Sequence, residues 1–165
     1  MNRGEELPPN ASEGQEAAFV GSSVDRDATL DAVHRLEAAI GTAGPGREDA
    51  WLRQVIAGLR MVEETVVAER DDTHRPDSLL SMIARDYPRR FSSRIRQLHE
   101  QHDTIVATIG SLRAQIESMS DEIDVADVRQ RLSWLLHAIH HRWARETDLV
   151  YEAIRLDLGR AEEGR

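Results

Sequence analysis

The apolar residues of this chain recur at alternating steps of four and three, the spacing of a helix that buries one side. The clearest series contains Phe91, Ile95, Leu98, Ile105, Ile109, Leu112 and Ile116. The position between Leu98 and Ile105 is filled by His102. The pattern therefore predicts a long helix whose buried stripe contains one imidazole, either as a hydrogen-bonded core residue or as a ligand that faces the interior.

Two amphipathic helices are predicted before this one. The first is capped by Asp25 or Asp27 and ends at Gly41, since glycine favours helix ends. The second begins near Arg47, and the two acids that follow this arginine suit the positive end of a helix. It frays near Asp72.

A short helix and a long fourth helix complete the pattern. The short helix starts at Pro76 and is closed off by Pro88 from the third helix, which ends around Ser118. Ser120 and the aspartate after it offer caps for the fourth helix, which ends at Gly159. We therefore expect an all-α fold, an up-down-up-down four-helix bundle with a short extra helix between helices 2 and 3.

The two ends of the chain lack this periodicity. Residues 1–23 are predicted to be a disordered N-terminal arm, residues 24–159 the bundle, and residues 160–165 a polar tail. The arm has acids and prolines where a signal peptide would need a basic segment and an apolar core, so we expect a cytoplasmic protein.

Composition narrows the function. Apolar residues make up 40% and charged residues 31%, as in soluble globular proteins. The formal charge of −9 argues against nucleic acid and anionic membranes as partners, and no apolar run is long enough to span a membrane. The absence of cysteine excludes disulfides and thiolate metal sites. The composition does not exclude a protein partner or a second copy of the chain.

Several helices direct polar side chains toward a shared axis. Those within or beside the apolar arcs are His34, Glu63, Glu69, His74, His102, Arg142 and Glu146. Buried charges are unfavourable unless they are paired or bound to metal. Either iron, manganese or zinc is bound by these acids and imidazoles, or Arg142 neutralises Glu146 or Glu63 while His102 hydrogen-bonds within the same network.

Three segments resemble the hemerythrin-like, or HHE cation-binding, domain over roughly residues 25–158. RIRQLHEQHDTIVATIGSLRAQI resembles the third helix of that family, with His102 at its ligand position. LDAVHRLEAAIG offers His34 as the counterpart in the first helix, and ETDLVYEAI places Glu146 at the carboxylate ligand of the fourth. The resemblance implies a four-helix bundle that binds iron, as one ion or a pair.

This chain departs from the family pattern at two places. Arg142 stands one turn before Glu146, where the family has a histidine. In the second helix the family order of histidine then glutamate is reversed, as Glu69 then His74. His34, Glu63, Glu69, His74, His102 and Glu146 are the predicted metal ligands of a degenerate site.

Three functions follow as expectations. The leading one is iron binding, with oxygen binding, iron handling or a peroxide response, and with dioxygen as a small ligand. The alternative is a metal-free bundle of the same kind that serves as an interaction or sensory module, with its inward polar residues forming a salt-bridge network. An acid–base enzyme comes last, because no motif for nucleophilic catalysis or nucleotide binding is present.

Overall fold

The computed structural model describes residues 11–42, 45–119 and 124–163, with side chains described over 26–42, 45–119 and 124–160. These parts of the chain form five helices and no strand. The helices are α1 (Ala11–Gly41), α2 (Glu48–Thr73), α3 (Leu79–Asp86), α4 (Pro88–Glu117) and α5 (Val125–Glu163). The all-α prediction is confirmed, and α3 lies between the second and third long helices as expected.

The short helix α3 begins later than predicted. Ser78, rather than Pro76, precedes it, and the Ser78 hydroxyl accepts a hydrogen bond from the backbone N–H of Ser81 at 3.2 Å. A serine side chain at this position satisfies a donor that the first helical turn leaves free. Pro88 is the first residue of α4, where its missing N–H does no harm, and Tyr87 before it separates the two helices.

The helix α1 begins well before the predicted caps at Asp25 and Asp27. It is helical from Ala11, so the prediction of a disordered arm over residues 1–23 does not hold for residues 11–23. Residues 1–10 lie outside the part of the chain that the structure describes. The segment ASEGQEAA is rich in alanine, glutamate and glutamine, which are strong helix formers, and this outweighs its polar composition.

The helix α5 also extends further than predicted. It continues through Gly159 to Glu163, so the predicted tail at residues 160–165 is helical over its first four residues. A glycine inside a helix is unfavourable by only about 1 kcal/mol, which strong neighbours offset. The predicted cap at residues 120 and 121 lies outside the described residues; Asp124 accepts hydrogen bonds from the N–H groups of Ala126 and Asp127 at 3.0 and 3.1 Å.

Side-chain contacts show that α2 lies antiparallel to both α1 and α4. The indole of Trp51, at the start of α2, donates to the carbonyl of Ala39, at the end of α1, at 3.0 Å. Arg60 in α2 pairs with Glu117 at the end of α4 at 2.7 Å. Arg70, later in α2, lies 3.8 Å from Asp103, earlier in α4, so the two helices run in opposite directions.

The helix α5 lies antiparallel to both α4 and α1. Arg131 early in α5 bonds to Gln115 late in α4 at 2.9 Å. The Arg129 side chain, early in α5, donates to the Ile40 carbonyl at the end of α1 at 3.1 Å, while Arg26, in the middle of α1, donates to Glu146 later in α5 at 2.7 Å. Each long helix is thus antiparallel to the two beside it. Over the described residues no helix is long and apolar enough to cross a membrane.

The apolar core is divided into two clusters along these helices. The larger one joins α1, α2, α4 and α5, with Val33, Val62, Ile109 and Leu132 fully buried at its centre. The smaller one joins α3, the first part of α4 and the second part of α5, and it consists of Leu80, Ile83, Phe91, Ile95, Leu98, Leu149 and Ala153. Buried polar residues lie between the two clusters, and they form the candidate site.

Two glycine substitutions test the close approach of α1 and α2. A methyl group added at Gly58 would lie 3.2 Å from Cδ1 and 3.3 Å from Cα of Leu36, whereas one added at Gly159 meets nothing within 4 Å. We expect Gly159→Ala to raise the free energy of unfolding by roughly 0.5 kcal/mol. Gly58→Ala should lower it by about 1 kcal/mol, because overpacking outweighs the gain in helix propensity. Urea denaturation followed by circular dichroism measures both, and a gain in both variants would contradict the packing.

Candidate functional site: a buried polar layer

A layer of buried polar side chains lies between the two apolar clusters. Its members are Thr29, Glu69, Thr73, Ser78, His102, Arg142 and Glu146. They come from all four long helices and from the residue that caps α3. On α4 the layer falls at His102, the single polar residue of the stripe predicted from sequence. The periodicity of α4 alone therefore predicts where along this helix the polar layer lies, with no knowledge of the contacts between helices.

Arg142 is the centre of the layer. Its guanidinium donates to a carboxylate oxygen of Glu146 at 2.7 Å and to one of Glu69 on α2. Arg142 is 2% exposed, and both acids are 3% exposed. Removing one partner of such a buried ion pair strongly destabilises the folded protein, because the other charge is left without water or a counterion.

Two further side chains donate hydrogen bonds to the carboxylates of Glu69 and Glu146. The Trp143 indole N–H donates to Glu69 at 3.0 Å, and Arg26 of α1 donates to the second oxygen of Glu146 at 2.7 Å. Two guanidiniums thus balance two carboxylates. Sequence analysis missed Arg26 because α1 was expected to begin at about that residue. Its position seven residues before Val33, in the same helical phase as the apolar stripe, is the signal that would have found it.

The ionised form of Glu69 depends on these donors. Burial raises the pKa of Glu69 above its ordinary value, and the guanidinium of Arg142 offsets only part of that effect. The second carboxylate of the layer, Glu146, raises the pKa of Glu69 further. Removal of Arg142 would therefore leave two acids that repel each other in a site shielded from water.

The prediction that His102 hydrogen-bonds within the network of Arg142 and its acids is wrong. The His102 side chain is 1% exposed, and neither ring nitrogen has a hydrogen-bond partner among the described residues. Burial, and then the positive charge of Arg142, lower the pKa of His102 to about 2. The Val66 carbonyl acts on this pKa in the opposite direction without making a hydrogen bond of ordinary geometry. The imidazole is therefore neutral at physiological pH.

The remaining predicted ligands lie outside the layer. Glu63 pairs with Arg113 of α4 at 2.6 Å, so the predicted alternative of a pair between Glu63 and Arg142 is wrong. His34 is exposed on α1. His74 is exposed after the end of α2, where its ring lies 4.1 Å from that of His99. Glu63 falls inside the apolar arc of α2 by periodicity but pairs with Arg113, His34 lies at the edge of the arc of α1, and His74 lies beyond the last turn of α2, where helical periodicity no longer applies.

The described residues do not fit a two-metal centre. Such a centre needs several carboxylates and imidazoles directed at the same point. Here the guanidinium of Arg142 occupies the space between the acids and bonds to both. Over the part of the chain that the structure describes, no group of three or more histidine, aspartate or glutamate side chains is arranged to hold a metal ion.

No family model, curated protein or solved structure matches this chain. The resemblance to the hemerythrin-like domain therefore rests on the short motifs around His34, His102 and Glu146. Of these residues, His102 and Glu146 lie in the buried layer and His34 does not.

Proposed function

We propose that the chain is a hemerythrin-like up-down-up-down four-helix bundle in which an ion-pair layer takes the place of the metal centre. In this proposal it serves as an interaction or sensory module of the cytoplasm. The observation that supports it best is the pairing of Arg142 with both Glu69 and Glu146. Those two acids are among the ligands that the resemblance assigns to a metal.

The position of Arg142 gives this pairing its meaning. It stands one turn before Glu146, where the family that the chain resembles has a histidine ligand. A guanidinium is always charged and its planar donors fit two carboxylates at once. It supplies the positive charge that buried acids require, and it would repel a cation placed beside it. The arginine at position 142 thus replaces a histidine ligand and also neutralises the two acids that remain.

An interaction or sensory role fits a bundle whose interior is occupied in this way. The layer satisfies its acids within the fold, so they are not free to act on a substrate. The neutral His102 has no carboxylate or hydroxyl partner in the described residues that would make it a general base. What remains for recognition is the surface of the long helices.

The substitution Arg142→His tests this proposal, because it restores the family's histidine and removes the competing charge. We expect the wild-type protein to show no change in its visible spectrum when Co²⁺ is added. The variant should develop the absorption of bound Co²⁺, because the introduced imidazole would stand with Glu69, His102 and Glu146. Arg142→Met, which removes the charge without adding a ligand, is the matched control. Equal Co²⁺ binding by the wild type and Arg142→His would overturn the proposal.

A second candidate is the iron-binding function that the resemblance implies, with dioxygen or peroxide as the small ligand. The observation that favours it is His102, whose two ring nitrogens have no partner among the described residues. It requires the Arg142 side chain to turn outward and leave its acids. Metal uptake by the wild-type protein distinguishes the two candidates, since only the second one predicts it.

A further inference from the structure

The second half of α5 carries an apolar stripe on its outward face. Tyr151, Ile154 and Leu158 are 63%, 43% and 62% exposed, and they are three of the five large apolar side chains that lie exposed among the described residues. They recur at steps of three and four, so they share one side of the helix. Thr147, half-buried beside Arg26 of α1, extends this line by a further step of four. We call Thr147, Tyr151, Ile154 and Leu158 the α5 stripe.

The α5 stripe lies opposite the side of the helix that contributes to the core. Leu149 and Ala153 are 1% and 3% exposed, and they pack in the smaller apolar cluster with α3 and α4. This part of α5 is therefore apolar on two sides, of which only one is covered. A single exposed apolar side chain is ordinary, whereas a row of them at helical spacing fits the apolar face of another helix.

The spacing of the stripe suits a second copy of the same helix. Its steps of four, three and four residues read the same from either end. When two such helices run antiparallel, Tyr151 of each copy lies opposite Ile154 of the other. Thr147 of each copy then lies opposite Leu158 of the other. Every position of the stripe thus meets a position of the same stripe, as in the seam of a two-stranded coiled coil.

Two charged residues beside the stripe fit the same arrangement. Asp148 and Arg155 are exposed, and they border the stripe on one side because they directly follow Thr147 and Ile154. Neither of them has an ion-pair partner among the described residues. In an antiparallel dimer equivalent sides of the two helices face each other, so Asp148 of each copy meets Arg155 of the other. The two charges are therefore unpaired in the single chain and complementary between two chains.

Other occupants of the stripe fit these observations less well. Residues 1–10, which precede α1, contain Met1 and Leu7 as their only large apolar side chains, against three in the stripe. An unrelated protein would need neither the symmetric spacing nor the reciprocal charges. A second copy of the chain accounts for both.

We propose that the α5 stripe is the interface of an antiparallel two-fold dimer of this chain. The inference goes beyond the proposed function and does not rest on it, because the stripe is a surface feature whether or not the interior binds metal. From Thr147 to Leu158 the interface spans twelve residues, roughly three turns of α5. Such an interface is small, so the dimer should exchange with the monomer at micromolar concentrations.

Sedimentation equilibrium of the full chain measures this association. We expect Asp148→Arg and Arg155→Glu each to weaken the dimer by about ten-fold, because each places like charges opposite each other at both contacts. An equimolar mixture of the two variants should associate as the wild type does, since the two chains then offer opposite charges at both contacts. The matched controls, Asp31→Arg and Arg35→Glu, make the same changes at exposed positions of α1 and should leave the association unchanged.

The apolar part of the interface is tested by Tyr151→Ser, which should also weaken the dimer. Trp134→Ser, which removes an exposed aromatic side chain elsewhere on α5, is the control and should not. Thermal melts of each variant confirm that it is folded.

Four results would overturn this inference. They are a chain that stays monomeric at millimolar concentration, a dimer that Tyr151→Ser leaves intact, a mixture of the two charge variants that does not associate, and a monomer that dimerises only after removal of residues 2–10. The last result would show that the N-terminal segment covers the stripe in the full chain. The metal content of the protein bears on the proposed function alone, so the two failures are distinguishable.

Discussion

Replacing Arg142 with methionine should lower the free energy of unfolding by about 3–5 kcal/mol at neutral pH. The change leaves Glu69 and Glu146 buried, close together and without the guanidinium that bonds to both. Methionine keeps most of the volume of the arginine stem, so the loss measures charge rather than packing. Urea denaturation followed by circular dichroism gives the value.

The control for Arg142→Met is Arg60→Met, which breaks an ion pair of the same 2.7 Å length with Glu117 on the surface. Exposed pairs contribute little, so we expect a loss below about 1 kcal/mol there. The deficit of Arg142→Met should also shrink as the pH falls, because its unpaired acids become protonated and lose their charge. Equal losses in the two variants, or a deficit independent of pH, would show that Arg142 is not the counterion of the layer.

Replacing His102 with leucine should raise the free energy of unfolding by about 1–3 kcal/mol at neutral pH. The imidazole is 1% exposed, and its nitrogens have no hydrogen-bond partner among the described residues, so an apolar side chain of similar size removes an unfavourable burial. His137→Leu, at an exposed position of α5, is the control and should change stability by less than about 0.5 kcal/mol. A large loss of stability in His102→Leu would mean that the imidazole holds a partner.

The same variant should remove the loss of stability that His102 causes as the pH falls below 6.5. The pKa of His102 is lowered from 6.5 to about 2 by folding, so below pH 6.5 the unfolded chain binds a proton that the folded chain does not. Stability is therefore present above that pH and is lost as the pH falls, by roughly 2–3 kcal/mol at about pH 4.5. The loss between pH 6.5 and about pH 4.5 should therefore be smaller in His102→Leu than in the wild type by roughly that amount. Parallel pH profiles for the two would contradict a buried neutral histidine.

The features that depend on one helix alone were predictable from the sequence. The stripe on α4 and the place of His102 within it follow from a period of 3.6 residues, and the structure confirms both. The pairing of Arg142 with Glu146 joins residues four apart on one helix, and it was among the predicted alternatives. The ends of α1 and α5 were misjudged because proline, glycine and polar composition were taken as stops where helix propensity was sufficient to continue.

The contacts between helices were not predictable in the same way. Glu69 and Glu63 lie six residues apart on α2, so they point about 120° apart around the helix axis. The rotation and axial position of α2 decide that Glu69 meets Arg142 on α5 and Glu63 meets Arg113 on α4. Periodicity gives the apolar face of each helix but not its rotation or axial position relative to its neighbours, which are set by the packing of both apolar clusters. The hydrogen bond from Trp143 to Glu69 also joins two helices, and it depends on the same placement of α2 against α5.

The most direct test of the central claim is the metal content of the wild-type protein. The chain is purified from iron-supplemented cells and measured by elemental analysis, before and after incubation with iron, manganese and zinc. If Arg142 serves as the counterion of Glu69 and Glu146, the protein will contain no stoichiometric metal under any of these conditions. One metal ion per chain, or about two irons as in a complete di-iron bundle, would contradict that account.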